Sequence, residues 1–437
     1  MKPIHVGLLG IGTVGGGTFT VLDRNKQEIS RRAGRAITIS VVADKDLARA
    51  NSVVAGRARV IDDANAVVSD PAVDIVVELI GGTGIAKQLI LKAIANGKHV
   101  VTANKALLAQ HGNEIFAAAH AKGVMVAFEA AVAGGVPIIK SLREGLAANR
   151  IEWIAGIING TSNFILSEMR EKGASFDDVL KQAQQLGYAE ADPTFDIEGV
   201  DAAHKLTIMA AIGFGIPMQF AAAYTEGISK LTREDIRYAE ELGYRIKLLG
   251  ITKRKPNGIE LRVHPALIPT KRLIANVEGV MNAILVKGDA VGQTMYYGAG
   301  AGAEPTASAV VADLVDVART MTADPEHRVP HLAFQPDQLS DIAILPMGEV
   351  ETAYYLRLRV QDKPGVLADI TRILADLGIS IDAMVQKEPN EGEEQTDIIM
   401  LTHRTVEKYV NAAITKIEAL SVVAGKVTRI RLEELDK

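Results

Sequence analysis

Five acidic residues and one lysine fall within sixteen positions of the segment GYAEADPTFDIEGVDAAHKL: Glu190, Asp192, Asp196, Glu198, Asp201 and Lys205. Asp201 and Lys205 are four apart, so on a helix they share one face, and the apolar run LTIMAAIG that follows argues for partial burial of that face. A positioned ammonium beside a carboxylate can give a proton to a reacting oxygen or take one from it. The same spacing also describes an ordinary i,i+4 ion pair on a helix surface, and His204 reads as structural. A divalent metal is a further use for so many acids, but no histidine or second acidic cluster stands at ligand spacing.

Nearer the N-terminus, Gly10, Gly12 and Gly15 form G-x-G-x-x-G directly after the apolar run IHVGLL and ahead of a helix-like stretch. Glycines there permit a tight turn and let the backbone approach a pyrophosphate at a helix N-terminus, which points to a dinucleotide. Ala43 and Asp44 end the second apolar run, SVVADKD, where an acid can accept from an adenine-ribose diol. Lys45 and Arg49 could instead pair with a 2′-phosphate, so NAD and NADP both remain open. TANKALLA places Asn104 and Lys105 just past another strand, at the edge where open α/β sheets bind ligands. IINGTSNF offers a turn and a helix start, with Thr161 or Ser162 available as the cap and free N–H groups that could meet a carboxylate.

These groups need a frame. From residue 4 to about 131 short apolar runs (IHVGLL, ITISVVA, DIVVELI, KHVVTA, VMVAFEA) alternate with helical stretches, one after IHVGLL to about Arg32 and others at 84–96 and 104–121, the rhythm of a Rossmann-type doubly wound parallel sheet. Residues 132–303 read as an α+β second domain. A helix near Pro305, over about 304–322, could return to the first domain. The proline-spotted stretch 323–350 reads as a linker. Residues 351–437 follow the order βαββαβ, a ferredoxin-like unit, with Leu356, Leu358 and Val360 alternating against Arg357 and Arg359 and the acidic loop NEGEEQ as a solvated hairpin connection. Such a unit looks separable, so a chain ending near Gly348 is expected to keep its turnover.

Composition narrows the function. With 48 basic and 53 acidic residues the net charge is -5, which gives no electrostatic reason for a nucleic-acid partner. Cysteine is absent, which removes thiolate metal sites, disulfides and cysteine nucleophiles and suits a reducing compartment. No window approaches the roughly 18–20 uninterrupted apolar residues of a membrane helix, so no membrane partner and a cytoplasmic location are expected. The pattern is that of a nicotinamide-dependent dehydrogenase with a small-molecule substrate. Another amino-acid or sugar dehydrogenase, and a metabolite sensor without turnover, fit the same layout; the lysine and carboxylate cluster speaks against the sensor.

Taken in order, GLLGIGTVGGG, TANKALLA, INGTSNFIL, GYAEADPTFDIEGVDAAHK and DKPGVLADI closely resemble homoserine dehydrogenase in its single-function form with a C-terminal ACT domain, over nearly the whole chain. The resemblance implies NAD- or NADP-dependent interconversion of L-aspartate-4-semialdehyde and L-homoserine, on the way to threonine, methionine and isoleucine. It implies Lys205 as proton donor and acceptor, Asp201 as its catalytic neighbour and Lys105 between substrate and nicotinamide. Glu190 would hold the substrate amine in a pocket with Gly160, Thr161, Tyr188 and Asp196, while Thr13, Val14 and Gly302 would touch the cofactor. FEAAVAGGVP is similar to the family's monovalent-cation loop, implying sodium at Glu129, Val132, Gly134 and Val136, mainly through backbone carbonyls. DKPGVLADI is similar to the effector loop of ACT domains, implying an amino acid, threonine first, at Asp362, Gly365, Val366 and Leu367. The resemblance also implies that residues 132–303 serve catalysis and dimerisation, since the family's second domain forms dimers and ACT domains commonly pair sheet edges, so a homodimer or homotetramer is expected. The lysine pKa is left undecided by sequence: burial lowers it and Asp201 opposes the shift.

Overall fold

The computed structural model describes residues 2–387 and 394–435, and statements of number or absence refer to these. Residues 390–393 of the acidic run NEGEEQ lie outside the described residues.

Strands β1 (Ile4–Leu9), β2 (Ile37–Ala43), β3 (Arg59–Ile61), β4 (Ile75–Glu78), β5 (His99–Thr102) and β6 (Val126–Ala127) form an all-parallel sheet in the order β3-β2-β1-β4-β5-β6. Central strands such as IVVE are buried along their whole length, as a sheet covered by helices on both faces requires. The single helix expected to reach Arg32 is two, Thr13–Arg24 and Lys26–Ala33, divided at Asn25. Helix Ala303–Thr320 packs against Thr13–Arg24, burying Ala307, Val310 and Leu314 with Val6, Leu8 and Phe19, and Arg24 meets Glu304 through two hydrogen bonds of 2.8 and 2.9 Å.

The second sheet runs through both remaining regions. It comprises β7 (Ile151–Ile157), β8 (Tyr224–Thr225), β9 (Tyr244–Lys255), β10 (Gly258–Pro269), β11 (Met281–Gly288), β12 (Gly292–Ala299), β13 (Glu351–Gln361), β14 (Ile381–Gln386), β15 (Gln395–Thr402), β16 (Thr405–Val406) and β17 (Val423–Leu432). Its path is β12-β11-β7-β9-β10-β17-β13-β15-β14, with β8 beside β10 and β16 beside β13. Strands β13, β14, β15 and β17 with helices Val366–Asp376 and Glu407–Glu418 make the βαββαβ unit. Along β13, Leu356, Leu358 and Val360 pack on that unit's own helices, while Tyr355 on the other face joins the core of the second region.

The unit does not stand apart from the second region: the two share one sheet and one core. Strand β17 pairs in parallel with β10 at Ala266 and Leu267, Ile430 and Leu432 sit in the same core as Ile259 and Leu261, and Leu435 is buried with Leu249 and Ile268. A chain ending near Gly348 would strip β17 from β10 and uncover that apolar face. The preceding stretch 323–350 also touches the body: Ser340 N–H donates to Gly215 O at 2.7 Å and Ile259 pairs with residues 343–345. No helix is long and apolar enough to cross a membrane.

Candidate active site

Helix Val200–Phe214 follows Gly199 and is buried through almost its whole length, so the i,i+4 pair it carries is not on a surface. Asp201 is 3% and Lys205 8% exposed. Lys205 Nζ donates to Asp201 Oδ2 at 2.7 Å and to the Ile158 carbonyl at 2.7 Å. Asp201 Oδ1 lies 3.0 Å from Nζ of Lys105, the first residue of helix Lys105–Lys122, so one carboxylate is shared by two lysines from two regions of the chain.

Asn159 ties the rest together. Its Oδ1 accepts the Ser162 N–H at 2.8 Å, which makes Asn159 the cap of helix Gly160–Lys172 in place of the expected Thr161 or Ser162. Its Nδ2 donates to Asp196 Oδ1 at 2.7 Å and to Asp201 Oδ2 at 2.8 Å. Thr161 and Ser162 do other work: Thr161 Oγ1 donates to the Tyr188 carbonyl at 2.6 Å and Ser162 Oγ to the Asp196 carbonyl at 3.0 Å, sewing the acidic loop to the helix start. Tyr188 stands edge-on to Phe164, ring centroids 5.0 Å apart. Glu190 is exposed, and its charge acts on Lys105. Gly160 lies against the Val280 carbonyl. Sequence reading missed Asn159, although it sits inside INGTSNF; its two acidic partners are 37 and 42 residues away, beyond any local pattern.

The electrostatics separate the two lysines. Burial lowers the Lys205 pKa, and the positive charge of Lys105 adds to that shift against the opposing pull of Asp201. Burial also acts downward on Lys105, but Asp201, Asp196 and Glu190 outweigh it and its pKa is raised. Asp201 is held well below the usual carboxylate range: burial pushes it up, and Lys205 and Lys105 together pull it further down. Burial raises Asp196, opposed by the Asn159 hydrogen bond. His204 is a structural residue, lodged against Phe195 and Phe220 and pushed by burial to a pKa of about 4, hence neutral.

At the other end of Lys105's sheet edge, the glycine-rich turn has the shape a pyrophosphate needs. A side chain at Gly15 would run into the Gly10 carbonyl, and no side chain caps helix Thr13–Arg24 at Gly12, which leaves the first N–H groups, at Thr13 and Val14, to an anion. Ala43 O accepts the Gly10 N–H at 2.9 Å. Asp44 supports the same turn, its Oδ2 accepting the Ile11 N–H at 2.6 Å and its Oδ1 the Asp46 N–H at 2.9 Å. Lys45 is turned to the Asp62 carbonyl at 3.0 Å. Gly302, with φ 122, begins helix Ala303–Thr320.

In the loop after β6, Glu129 accepts the N–H groups of Ile139 at 2.9 Å and Lys140 at 2.8 Å, and Ala133 and Gly134 take positive φ. Gly135 N–H donates to Ala299 O at 3.0 Å, which presses this loop on the chain leading to Gly302. Val132, Gly134 and Val136 are buried, and the Val136 carbonyl accepts the Ile138 N–H at 2.8 Å; backbone carbonyls are hard oxygen donors of the kind a monovalent cation takes, and no group of three or more His, Cys, Asp or Glu gathers at ligand spacing among the described residues. Glu129 also lines a cavity of about 690 Å³ that excludes Lys105, Asp201 and Lys205. In the C-terminal unit, Gly365 (φ 94) opens the helix beginning at Val366 and Leu367, and Asp362 Oδ1 accepts from Gln386 at 3.3 Å.

Comparison with known proteins matches three parts of the chain. A family model described as homoserine dehydrogenase covers residues 137–315, one for the homoserine dehydrogenase NAD-binding domain covers 10–129, and the ACT domain covers 354–422. A homoserine dehydrogenase of Pseudomonas aeruginosa is 64% identical over 437 residues, 100% of both chains, and one of Bacillus subtilis is 39% identical over 99% of both. The crystal structure of a homoserine dehydrogenase from Thiobacillus denitrificans superposes with a TM-score of 0.96 at 74% identity over 100% of this chain and 99% of that one. A hyperthermophilic archaeal homoserine dehydrogenase in complex with NADPH gives 0.63 at 25% identity, over 74% of this chain and 99% of that one.

Proposed function

The chain belongs to the homoserine dehydrogenase family, oxidoreductases acting on a CH–OH group, and from that premise we propose how its own residues divide the work of interconverting L-homoserine and L-aspartate-4-semialdehyde. The observation that carries the reading is the buried Asp201 carboxylate shared by Lys105 and Lys205. A nicotinamide dinucleotide lying along Gly10, Gly12, Thr13, Val14, Gly15, Ala43, Asp44 and Gly302 supplies the hydride acceptor. Lys205 Nζ takes the hydroxyl proton of homoserine as the carbon is oxidised and returns it on reduction; its lowered pKa makes the neutral form accessible. Lys105 adds a second positive charge where an alkoxide develops, and Asp201 keeps both ammonium groups aimed at it. Glu190 and Asp196, with Gly160, Thr161 and Tyr188, hold the amino-acid end of the substrate.

Sodium at Glu129, Val132, Gly134 and Val136 would fix that loop against residues 299–302 and so steady the approach to Gly302. Either NAD or NADP suits the end of β2. The ACT domain takes an amino acid, threonine first, at Asp362, Gly365, Val366 and Leu367, giving feedback control, and the enzyme works as a homodimer or homotetramer in the cytoplasm. Absorbance at 340 nm with homoserine and each oxidised dinucleotide tests the core of this reading: rapid reduction is expected with one of them, and no reduction with either would overturn it.

A further inference from the structure

Residues 224–229 touch both the C-terminal unit and the acidic substrate loop. On the first side the Glu226 carboxylate accepts from Tyr224 Oη at 2.6 Å, Arg431 at 2.9 Å and Arg429 at 3.1 Å. Both arginines stand on β17, and both also pair with the buried Glu407. On the second side, Ile228 N–H donates to Ile197 O at 2.9 Å and Ser229 Oγ to Glu198 Oε1 at 2.6 Å. Gly227 lies so close that a methyl group there would overlap Glu198 and the Ile197 carbonyl. Ile197 ends the short helix Thr194–Ile197 that carries Asp196, and Glu198 leads through Gly199 into the helix of Asp201 and Lys205.

The mechanics are asymmetric. Arg431 holds Glu407 with two hydrogen bonds, Nε to Oε2 at 2.7 Å and Nη2 to Oε1 at 2.5 Å, so it keeps a full carboxylate partner if Glu226 loses its charge. What Glu226 adds is a tether: it fixes residues 224–229 to β17, and those residues fix the loop. Parallel pairing of β8 with β10 and the Glu226 N–H to Val263 O bond at 2.8 Å align the stretch without reaching the loop.

We propose that Glu226 is a positioning residue, and that residues 224–229 are the joint by which strand β17 sets where the acidic loop holds the substrate's amino-acid end. This rests on the reading of Asp196 and Glu190 given above. Movement of β17 is then passed to residues 224–229 through the Glu226 carboxylate and the Tyr224 hydroxyl, which accepts from Arg431 at 3.2 Å, and on to the loop through the Ile228 N–H and the Ser229 hydroxyl. Lys205, held by Ile158, and Asp201, held by Asn159, stay in place.

Glu226→Gln, Ser229→Ala and the double variant test the joint in the full-length enzyme by steady-state kinetics with homoserine, fluorescence titration of the dinucleotide and thermal melting. The expected result for Glu226→Gln is a KM for homoserine raised about five- to thirtyfold, kcat within about twofold and dinucleotide affinity unchanged. Ser229→Ala, at an exposed position, should raise KM in the same direction, and the double variant should be no worse than Glu226→Gln alone, because both cut one chain of contacts. A wild-type KM in Ser229→Ala, or a Glu226→Gln enzyme whose kcat and dinucleotide binding fall together with its Tm, overturns the proposal. If Glu226→Gln does not fold, the KM of Ser229→Ala decides alone. Wild-type enzyme that fails to oxidise homoserine brings down the functional reading and this proposal with it, whereas normal turnover with unmoved KM in the variants brings down only the joint.

Discussion

Arg262 and Lys205 are both deeply buried cations, yet their surroundings push them in opposite directions. Arg262, in the seam between β10 and β17, faces two carboxylates, Glu260 at 2.9 Å and Glu433 at 2.7 Å, and those acids are in turn met by Lys255 and Lys253. Burial acts against its charge, but Glu433 and Glu260 overcome it and the guanidinium pKa is raised. Lys205 shares its single carboxylate with Lys105 and takes a neutral carbonyl as its other partner, so burial wins and its pKa falls. Where a buried cation faces two carboxylates its charge is held and the cluster serves structure; where a buried cation shares its one acid with a second cation, room is left for negative charge and for a proton to move.

The largest effect should come from breaking the seam. Glu433→Gln leaves Arg262 with Glu260 alone and takes from Lys253 its ion-pair contact, and losing one partner of a buried pair costs about 3–5 kcal/mol. Urea unfolding should show the loss while kcat of the remaining folded enzyme stays near wild type. An unshifted midpoint would mean the seam is not held by these charges. Truncation near Gly348 removes Glu433 and β17 together, and soluble, active protein from such a chain would contradict the continuous sheet.

The site should fail the other way. Lys205→Ala is expected to lower kcat by about 10² to 10⁴ with dinucleotide affinity nearly unchanged, since the group acts on the reacting oxygen. Near wild-type turnover would return Lys205 to the same structural status as Arg262.

pH sharpens the contrast. Oxidation of homoserine needs neutral Lys205, so kcat should fall as pH drops through its lowered pKa, and reduction of the aldehyde should fall as pH rises through it. Lys105→Met removes a positive neighbour that helps to lower that pKa, so the oxidation limb should move to higher pH. A limb that stays put in log kcat profiles would show that another group is titrating.

Smaller changes lie at the rim. Glu190→Gln should raise KM for homoserine about tenfold to a hundredfold, the ~1.5–3 kcal/mol of a charged hydrogen bond, with kcat little affected. Asp44→Ser should shift the ratio of NAD to NADP use by only a few steps, and because Asp44 also holds the Ile11 N–H, binding of both dinucleotides should weaken. Unequal loss, measured as two dissociation constants, identifies the ribose contact; equal loss leaves only the support of the turn.

Local pattern was enough for much of this molecule. Gly10, Gly12 and Gly15 between a strand and a helix, the i,i+4 placing of Asp201 and Lys205, and the βαββαβ order of the last region all depend on near neighbours in the chain, through turn sterics and the helical and strand periods. What needed the tertiary structure were the contacts made across long separations. Lys105 and Asp201 are 96 residues apart, and only their meeting turns one plausible ion pair and a lysine at a sheet edge into a site with one acid for two lysines. Which force wins at Lys205 depends on how completely the helix is buried, a property of packing that no spacing encodes. The joining of β17 to β10 likewise hangs on a parallel edge pairing and on one buried acid, Glu433, 171 positions from Arg262, which is why a unit that reads as detachable shares a continuous sheet with the second region.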